Sequence, residues 1–423
     1  MLYVVQRGDS LDRIAQTYGV SVARLRSDNG LPPDQPLVPG QVLVVLRPRR
    51  TYRVRPGDTL FGIAGAAGVT VLQLLRENPT LSPDQPLDPG QELALGLEGE
   101  QTLPLWVNGY SYPHVDPAVL DRALPFLTDL SVFSYEFRED GRLVVPPAAW
   151  LLSQGRAFGT GLLLVLSSLA EDGTFSPDHV SRFLASEARQ EAVLGEMISR
   201  LLEEGCRGLD VDFEFIPPQD RPAFLAFLGK ARQRLHAHGL ALHVALAPKI
   251  QADQPGLLYE AHDYAVVGQL ADGVLLMTYE WGYAAGTPMA VAPLPQVAQV
   301  LDYAVTEIPP WKLWMGIPNY GYDWTLPRIP GRRAALVGNQ EAVTLAARVG
   351  AEITFDPVAQ APTFAYWQGE QEHRVWFEDA RSIQAKLQLA AARGLRGVSY
   401  WNLMRPFAQN WALLSQYHLP AER

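Results

Sequence analysis

From Leu103 onward, short apolar runs alternate with stretches of helical spacing, the pattern of strand–helix units arranged around a parallel sheet. Eight candidate strands fall near Leu105 to Asn108, Ser131 to Tyr135, Gly161 to Ser167, Gly208 to Phe213, Ala241 to Ala247, Gly273 to Tyr279, Trp314 to Pro318 and Gly397 to Asn402. Helical spacing fills the segments between, for example Glu187 to Glu204, Arg221 to His238 and Asp379 to Arg393. Eight such units in about 320 residues predict an α/β fold, a (β/α)8 TIM barrel. One gap, from Asn319 to about Val375, is too long for a crossover. Its β-type clusters at Ala351 to Phe355 and Thr363 to Trp367 predict a small α+β insertion over about 325–375, able to wall one side of a cleft.

The N-terminal hundred residues repeat themselves at a spacing of about fifty. Tyr3-Val4-Val5-Gln6-Arg7-Gly8-Asp9-Ser10-Leu11 matches Tyr52-Arg53-Val54-Arg55-Pro56-Gly57-Asp58-Thr59-Leu60, and Ile14-Ala15 matches Ile63-Ala64. Asp34-Gln35-Pro36-Leu37 with Pro39-Gly40-Gln41 recurs as Asp84-Gln85-Pro86-Leu87 with Pro89-Gly90-Gln91. In each copy a short strand precedes Gly-Asp-Ser/Thr, where Asp or Ser/Thr can cap a following helix. A second helix ends near Asn29 or Asn78, and Pro-Gly turns the chain into a closing strand, Val42 to Leu46 or Glu92 to Leu95. Each copy therefore reads βααβ. Arg47 to Arg50 reads as the link between copies, and Gly96 to Gln101 as the link to the remainder, giving units at 1–47, 50–97 and 102–423.

Apolar residues make up 48% of the chain and charged residues 19%, so a globular fold with ample core is expected rather than disorder. The net charge of −10 gives no attraction to nucleic acid or to an anionic membrane surface. No apolar run is long enough to cross a bilayer. Cys206 is the single cysteine, and no Cys/His grouping has zinc spacing, so neither an internal disulfide nor a metal site is expected.

The chemistry concentrates in Arg207-Gly208-Leu209-Asp210-Val211-Asp212-Phe213-Glu214-Phe215. On a strand, Asp210, Asp212 and Glu214 share one face and the apolar residues the other. Acids two apart on such a face lie roughly 7 Å from one another, close enough for like charge to raise a pKa where water is scarce. An exposed strand with a solvated acidic face would alternate in the same way, but the inner strands of a closed parallel barrel have no such face. The file of acids is therefore read as functional.

This segment resembles the Asp-x-x-Asp-x-Asp-x-Glu signature of glycoside hydrolase family 18, and it matches three of the four acids, with Arg207 in the first position. The repeats resemble LysM modules over residues 2–46 and 51–96, which implies binding of N-acetylglucosamine-containing glycans such as peptidoglycan or chitin. The family resemblance implies substrate-assisted hydrolysis with retention, needing no cofactor or metal. Glu214 is implied as acid/base, with Asp212 holding the acetamido N–H and Asp210 behind it. Met277-Thr278-Tyr279-Glu280 resembles the family's Met-x-Tyr-Asp, which implies a contact from the Tyr279 hydroxyl to the acetamido carbonyl. Glu280 there replaces Asp. Trp401 is implied beneath the sugar at the cleavage subsite, and Tyr110, Asn319 and Tyr320 are candidate sugar contacts at strand ends.

Ser167-Ser168-Leu169-Ala170 departs from the Ser-x-Gly-Gly of the family's chitinases. Together with Val375-Trp376-Phe377-Glu378-Asp379-Ala380-Arg381 and the two repeats, the whole resembles spore cortex-lytic N-acetylglucosaminidases. A peptidoglycan substrate is implied, in the spore or cell wall and outside the cell; a chitinase and an inactive sugar-binding lectin are the alternatives. The N-terminus lacks the pattern of a secretory signal, so either a signal has been trimmed away or export follows another route, such as incorporation into a spore from the mother cell.

Overall fold

The structure, a computed structural model, describes residues 1–83, 86–99 and 105–417. Asp84 and Gln85 of the second repeat, and part of the expected link to the large domain, lie outside these residues.

Both repeats fold as βααβ. In the first, strand Leu2–Val4 pairs antiparallel with Val42–Val44 around helices Leu11–Tyr18 and Val22–Asp28; in the second, Pro48–Arg53 pairs with Glu92–Leu97 around Leu60–Ala67 and Val71–Glu77. The two candidate caps divide the work. Ser10 and Thr59 cap the first helices, while the Asp9 and Asp58 carboxylates accept from the Tyr3 and Tyr52 hydroxyls and pin the turn. Asn29 and Asn78 clamp the second helix to the closing strand, each side chain bonding both N–H and C=O of Val44 or Ala94. The expected link at Arg47 to Arg50 instead runs into the second module's first strand, because Pro48 and Arg50 pair with Leu97 and Leu95.

Eight parallel strands close into a barrel: Trp106–Ser111, Asp129–Phe137, Gly161–Ser167, Gly208–Asp212, Ala241–Leu246, Gly273–Leu276, Leu313–Pro318 and Gly397–Trp401, with the last bonded to the first. Each is buried on both faces. Val107, Leu130, Leu164, Leu209, Val244, Val274, Met315 and Val398 are inaccessible and belong to one apolar cluster, which explains the continuous hydrophobic runs. Strands four and six stop earlier than the sequence pattern suggests, at Asp212 and Leu276, so Glu214 and Met277 to Trp281 lie in the loops beyond them.

The insertion is a five-stranded antiparallel sheet between Gly321 and Trp376 with one helix, Asn339–Val349. The modules are not pendant. Val42, Val44 and Leu46 pack on Ala380 and Ala412, while Leu43 and Val45 between them fill the first module's own core. Val38 joins the insertion's apolar cluster, Ile353 donates its N–H to Pro39 at 3.0 Å, and Gln409 donates to Val42 at 2.7 Å. The second module is held by Arg76 to the Pro125 carbonyl at 2.6 Å, and by Arg24 of the first module to the Glu77 carbonyl at 2.8 Å.

Candidate active site

Strand four carries Asp210 and Asp212 to the C-terminal mouth of the barrel, where the chain turns sharply through Phe215 (φ 53°). Glu214 leaves the strand there, its N–H held by the Ser168 hydroxyl at 3.2 Å. Ser168 belongs to the segment that departs from Ser-x-Gly-Gly, and it serves the acid directly. Asp212 and Glu214 open into a cavity of about 390 Å³ also lined by Tyr110, Tyr279, Glu280, Tyr320 and Trp401.

The electrostatics follow from burial. Desolvation, with repulsion from Glu280, pushes Glu214 up to about 7. Burial, reinforced by Glu214 and Asp210, holds the Asp212 carboxyl well above its usual range. Asp210 rises to about 6 through burial, against the stabilising hydrogen bond it accepts from the Tyr110 hydroxyl. One oxygen of Asp212 is buried without a hydrogen-bond partner among the described residues. Glu280, at φ 69°, accepts from the hydroxyls of Tyr320 and Tyr322, the second at 3.0 Å.

Trp401 forms a partly exposed wall, set edge-on against Phe133 (4.9 Å between centroids) and Tyr110 (5.5 Å). Its free face suits the apolar face of a pyranose. Asn319 and Asp210 lie outside the cavity lining, and Asn319, 4% exposed, ties the Asn402 and Arg405 carbonyls at 2.9 Å. It shapes the loop after strand eight. The insertion supplies Tyr322 and Leu336, and the strand-eight loop supplies Arg405, none of them singled out from sequence. Tyr320, Tyr322 and Trp324 alternate, and that spacing marks a shared face.

Arg207 lies at the other end of the barrel. It pairs with Asp129 at 2.7 Å and stacks over Trp106, away from the acids it precedes in sequence. Among the described residues no cluster of three or more His, Cys, Asp or Glu side chains could hold a metal ion.

A closed parallel barrel with stacked, proton-retaining carboxyls in an aromatic cleft, preceded by two glycan-binding-type modules, defines a glycosidase of barrel architecture. The chain belongs to glycosyl hydrolases family 18, whose profile matches residues 168–405, and the LysM domain profile matches residues 3–46 and 52–96. It is 45% identical over 295 residues to the cortical fragment-lytic enzyme of Bacillus subtilis, covering 69% of this chain and 68% of that one. The cortical fragment-lytic enzyme of Bacillus anthracis is 36% identical over 418 residues, covering 98% and 97%. Among solved structures, the spore cortex-lytic enzyme SleL of Bacillus megaterium QM B1551 superposes with a TM-score of 0.84 at 37% identity, covering 100% of this chain and 99% of that one.

Proposed function

We propose that this enzyme is an N-acetylglucosaminidase that hydrolyses spore cortex peptidoglycan or its fragments, outside the cell or in the spore, with retention and with participation of the substrate's own 2-acetamido group. The observation that carries this reading is the pairing of Glu214 and Asp212 in one cleft, whose only further acid among the described lining residues is Glu280. Glu280, the other acid there, is tied up by two tyrosines. The 36% to 45% identity to cortical fragment-lytic enzymes supports the substrate class.

Protonated near neutrality, Glu214 gives its proton to the glycosidic oxygen as the bond breaks. The acetamido carbonyl attacks the anomeric carbon of the same sugar, closing an oxazolinium ring. Asp212 accepts a hydrogen bond from the acetamido nitrogen, and its negative charge stabilises the cation. The Tyr279 hydroxyl donates to the acetamido oxygen and aligns it, while Trp401 stacks beneath the ring. Tyr110 fixes Asp210, which sits beneath Asp212. Glu214, now a carboxylate, takes a proton from water as that water opens the ring, restoring both sugar and acid.

Replacing Glu214 by Gln keeps the shape and removes the proton. We expect hydrolysis to fall by about 10³-fold while glycan binding persists, given the usual contribution of general acid–base catalysis. The assay is mass spectrometry of soluble products from muramidase-treated and untreated cortex and from chitin oligomers. Products ending in N-acetylglucosamine, made from cortex by wild type alone, support the reading. Turnover retained in Glu214→Gln refutes the mechanism, and cleavage of chitin oligomers alone refutes the substrate.

A further inference from the structure

Two ionisable side chains lie buried beside the cleft and take no part in the chemistry above: His262 and Lys249, each 1% exposed. Both follow strand five, in the segment that also brings Pro248, Leu258 and Tyr259 to the cavity wall. The His262 ring stands between two backbone groups. Its Nδ1 accepts from the Ala247 N–H at 2.9 Å, and its Nε2 lies 3.1 Å from the Phe213 carbonyl oxygen. An amide N–H can only donate and a carbonyl can only accept, so the ring is neutral with its proton on Nε2. Burial, against the bond to Phe213 and aided by the Lys249 charge, lowers the His262 pKa to about 4 and keeps that form through the neutral range.

Backbone groups extend the knot. The His262 N–H donates to the Tyr259 carbonyl at 3.0 Å, and the His262 carbonyl accepts from Lys249 Nζ at 3.0 Å. Lys249 Nζ also donates to the Ala252 carbonyl at 2.7 Å, while the Tyr264 hydroxyl accepts from the Lys249 N–H at 2.9 Å and donates to the Ala247 carbonyl at 2.6 Å. The turn that presents Glu214 lies beyond strand four, which ends at Asp212, so it is held by other anchors. The Phe213 ring stacks on Phe227, 5.5 Å between centroids, and Ser168 holds the Glu214 N–H. His262 holds the Phe213 carbonyl, and of these three anchors it is the one that joins the turn to the loop after strand five.

We propose that His262 is a positioning residue for the catalytic acid: through the Phe213 carbonyl it fixes the turn that aims Glu214 at the glycosidic oxygen, and through Tyr259 it ties that aim to the wall of the cleft. Lys249 serves His262 by holding its carbonyl. This role rests on Glu214 being the acid, as in the function proposed above.

The test compares, in the full chain, His262→Leu, which loses both ring bonds, with His262→Gln, whose amide can accept from Ala247 and donate to Phe213. On cortex fragments His262→Leu is expected to lower kcat about 10²-fold with KM nearly unchanged, the scale of a misplacement of about 1 Å. It is also expected to move the basic limb of the pH–rate profile below about pH 7, as the Glu214 turn opens to water and burial no longer holds its proton. His262→Gln is expected to recover most of the loss. A lower unfolding midpoint with kcat and the limb unmoved marks a brace and overturns the proposal, and so does a glutamine variant no better than leucine. If His262→Leu does not fold, His262→Asn, which keeps an amide but falls short of the Phe213 carbonyl, is read in its place. Nitrogen NMR of wild type labelled at histidine is expected to show a ring that stays neutral from about pH 5 to 8 with hydrogen on Nε2, a signal missing from His262→Gln. A titrating ring or the other tautomer at that position overturns the proposal whatever the variants do. Turnover retained in Glu214→Gln sinks the proposed function itself, whereas an inactive Glu214→Gln beside a fully active His262→Leu sinks the role of His262 alone.

Discussion

Glu280 shows how one side chain can tune another without touching the reacting bond. Its charge is the principal electrostatic reason, after burial, that Glu214 holds its proton to about pH 7. In the proposed mechanism the glycosidic oxygen takes that proton, so kcat/KM is expected to fall above about pH 7, near tenfold per unit. Removing the Glu280 charge relieves repulsion, lowers the Glu214 pKa and moves this basic limb to lower pH. A pH–rate profile of Glu280→Gln checks the sign, and an unmoved limb contradicts it. At this scale the sequence was informative where alternation bore on it: Asp212 and Glu214 reach the same mouth, with Asp210 buried beneath them. It was misleading where strand length bore on it, since spacing alone cannot show that pairing ends at Asp212 and that Glu214 is presented by a turn. Asn319 and Arg207 illustrate the same limit. Their neighbours in sequence line the cleft or lie beneath it, yet a strand separates its two ends by the full height of the barrel, and backbone carbonyls captured Asn319.

The elements of the small modules were the most legible part of the chain, because each landmark in the repeat has a bonding task. Asn78 is one. Its side chain satisfies the Leu74 carbonyl and both backbone groups of Ala94, all buried. Asn78→Ala is expected to cost about 3 kcal/mol, read as a lower unfolding midpoint, since several buried groups lose partners together. Tyr52→Phe, which loses one bond to the half-buried Asp58, should lower that midpoint far less by the same measurement. What the repeat comparison overlooked was a difference between copies. Val42-Leu43-Val44-Val45-Leu46 is apolar throughout, whereas its counterpart begins Glu92-Leu93-Ala94. Continuous apolarity in a strand means burial on both faces, and here the second face is the barrel's helices. The mixed insertion was detected as an excess of chain length, but its sheet order depends on pairings between distant segments, which local pattern does not record.

At the scale of the whole molecule, the first module, the insertion and the barrel form one packed body. Gly40 sits at the seam with φ +83°, and a β-carbon there would come within 1.8 Å of the Ile353 carbonyl. Gly40→Ala is expected to loosen the module, seen as faster limited proteolysis near residue 40 with the barrel left intact. Deleting both modules should lower the unfolding midpoint of the barrel and promote aggregation, because Ala380, Ala412 and the insertion's cluster lose their cover. An equally stable, soluble truncated barrel would contradict this. The seam also sets a geometry of work. With glycan gripped by modules that cannot swing, the cutting cleft stands at a fixed offset from the grip, like a blade bolted to its clamp. Bonds beyond that offset are reached only after letting go, so progress across an insoluble wall is paced by release and regrip, and a stronger grip makes a slower cutter.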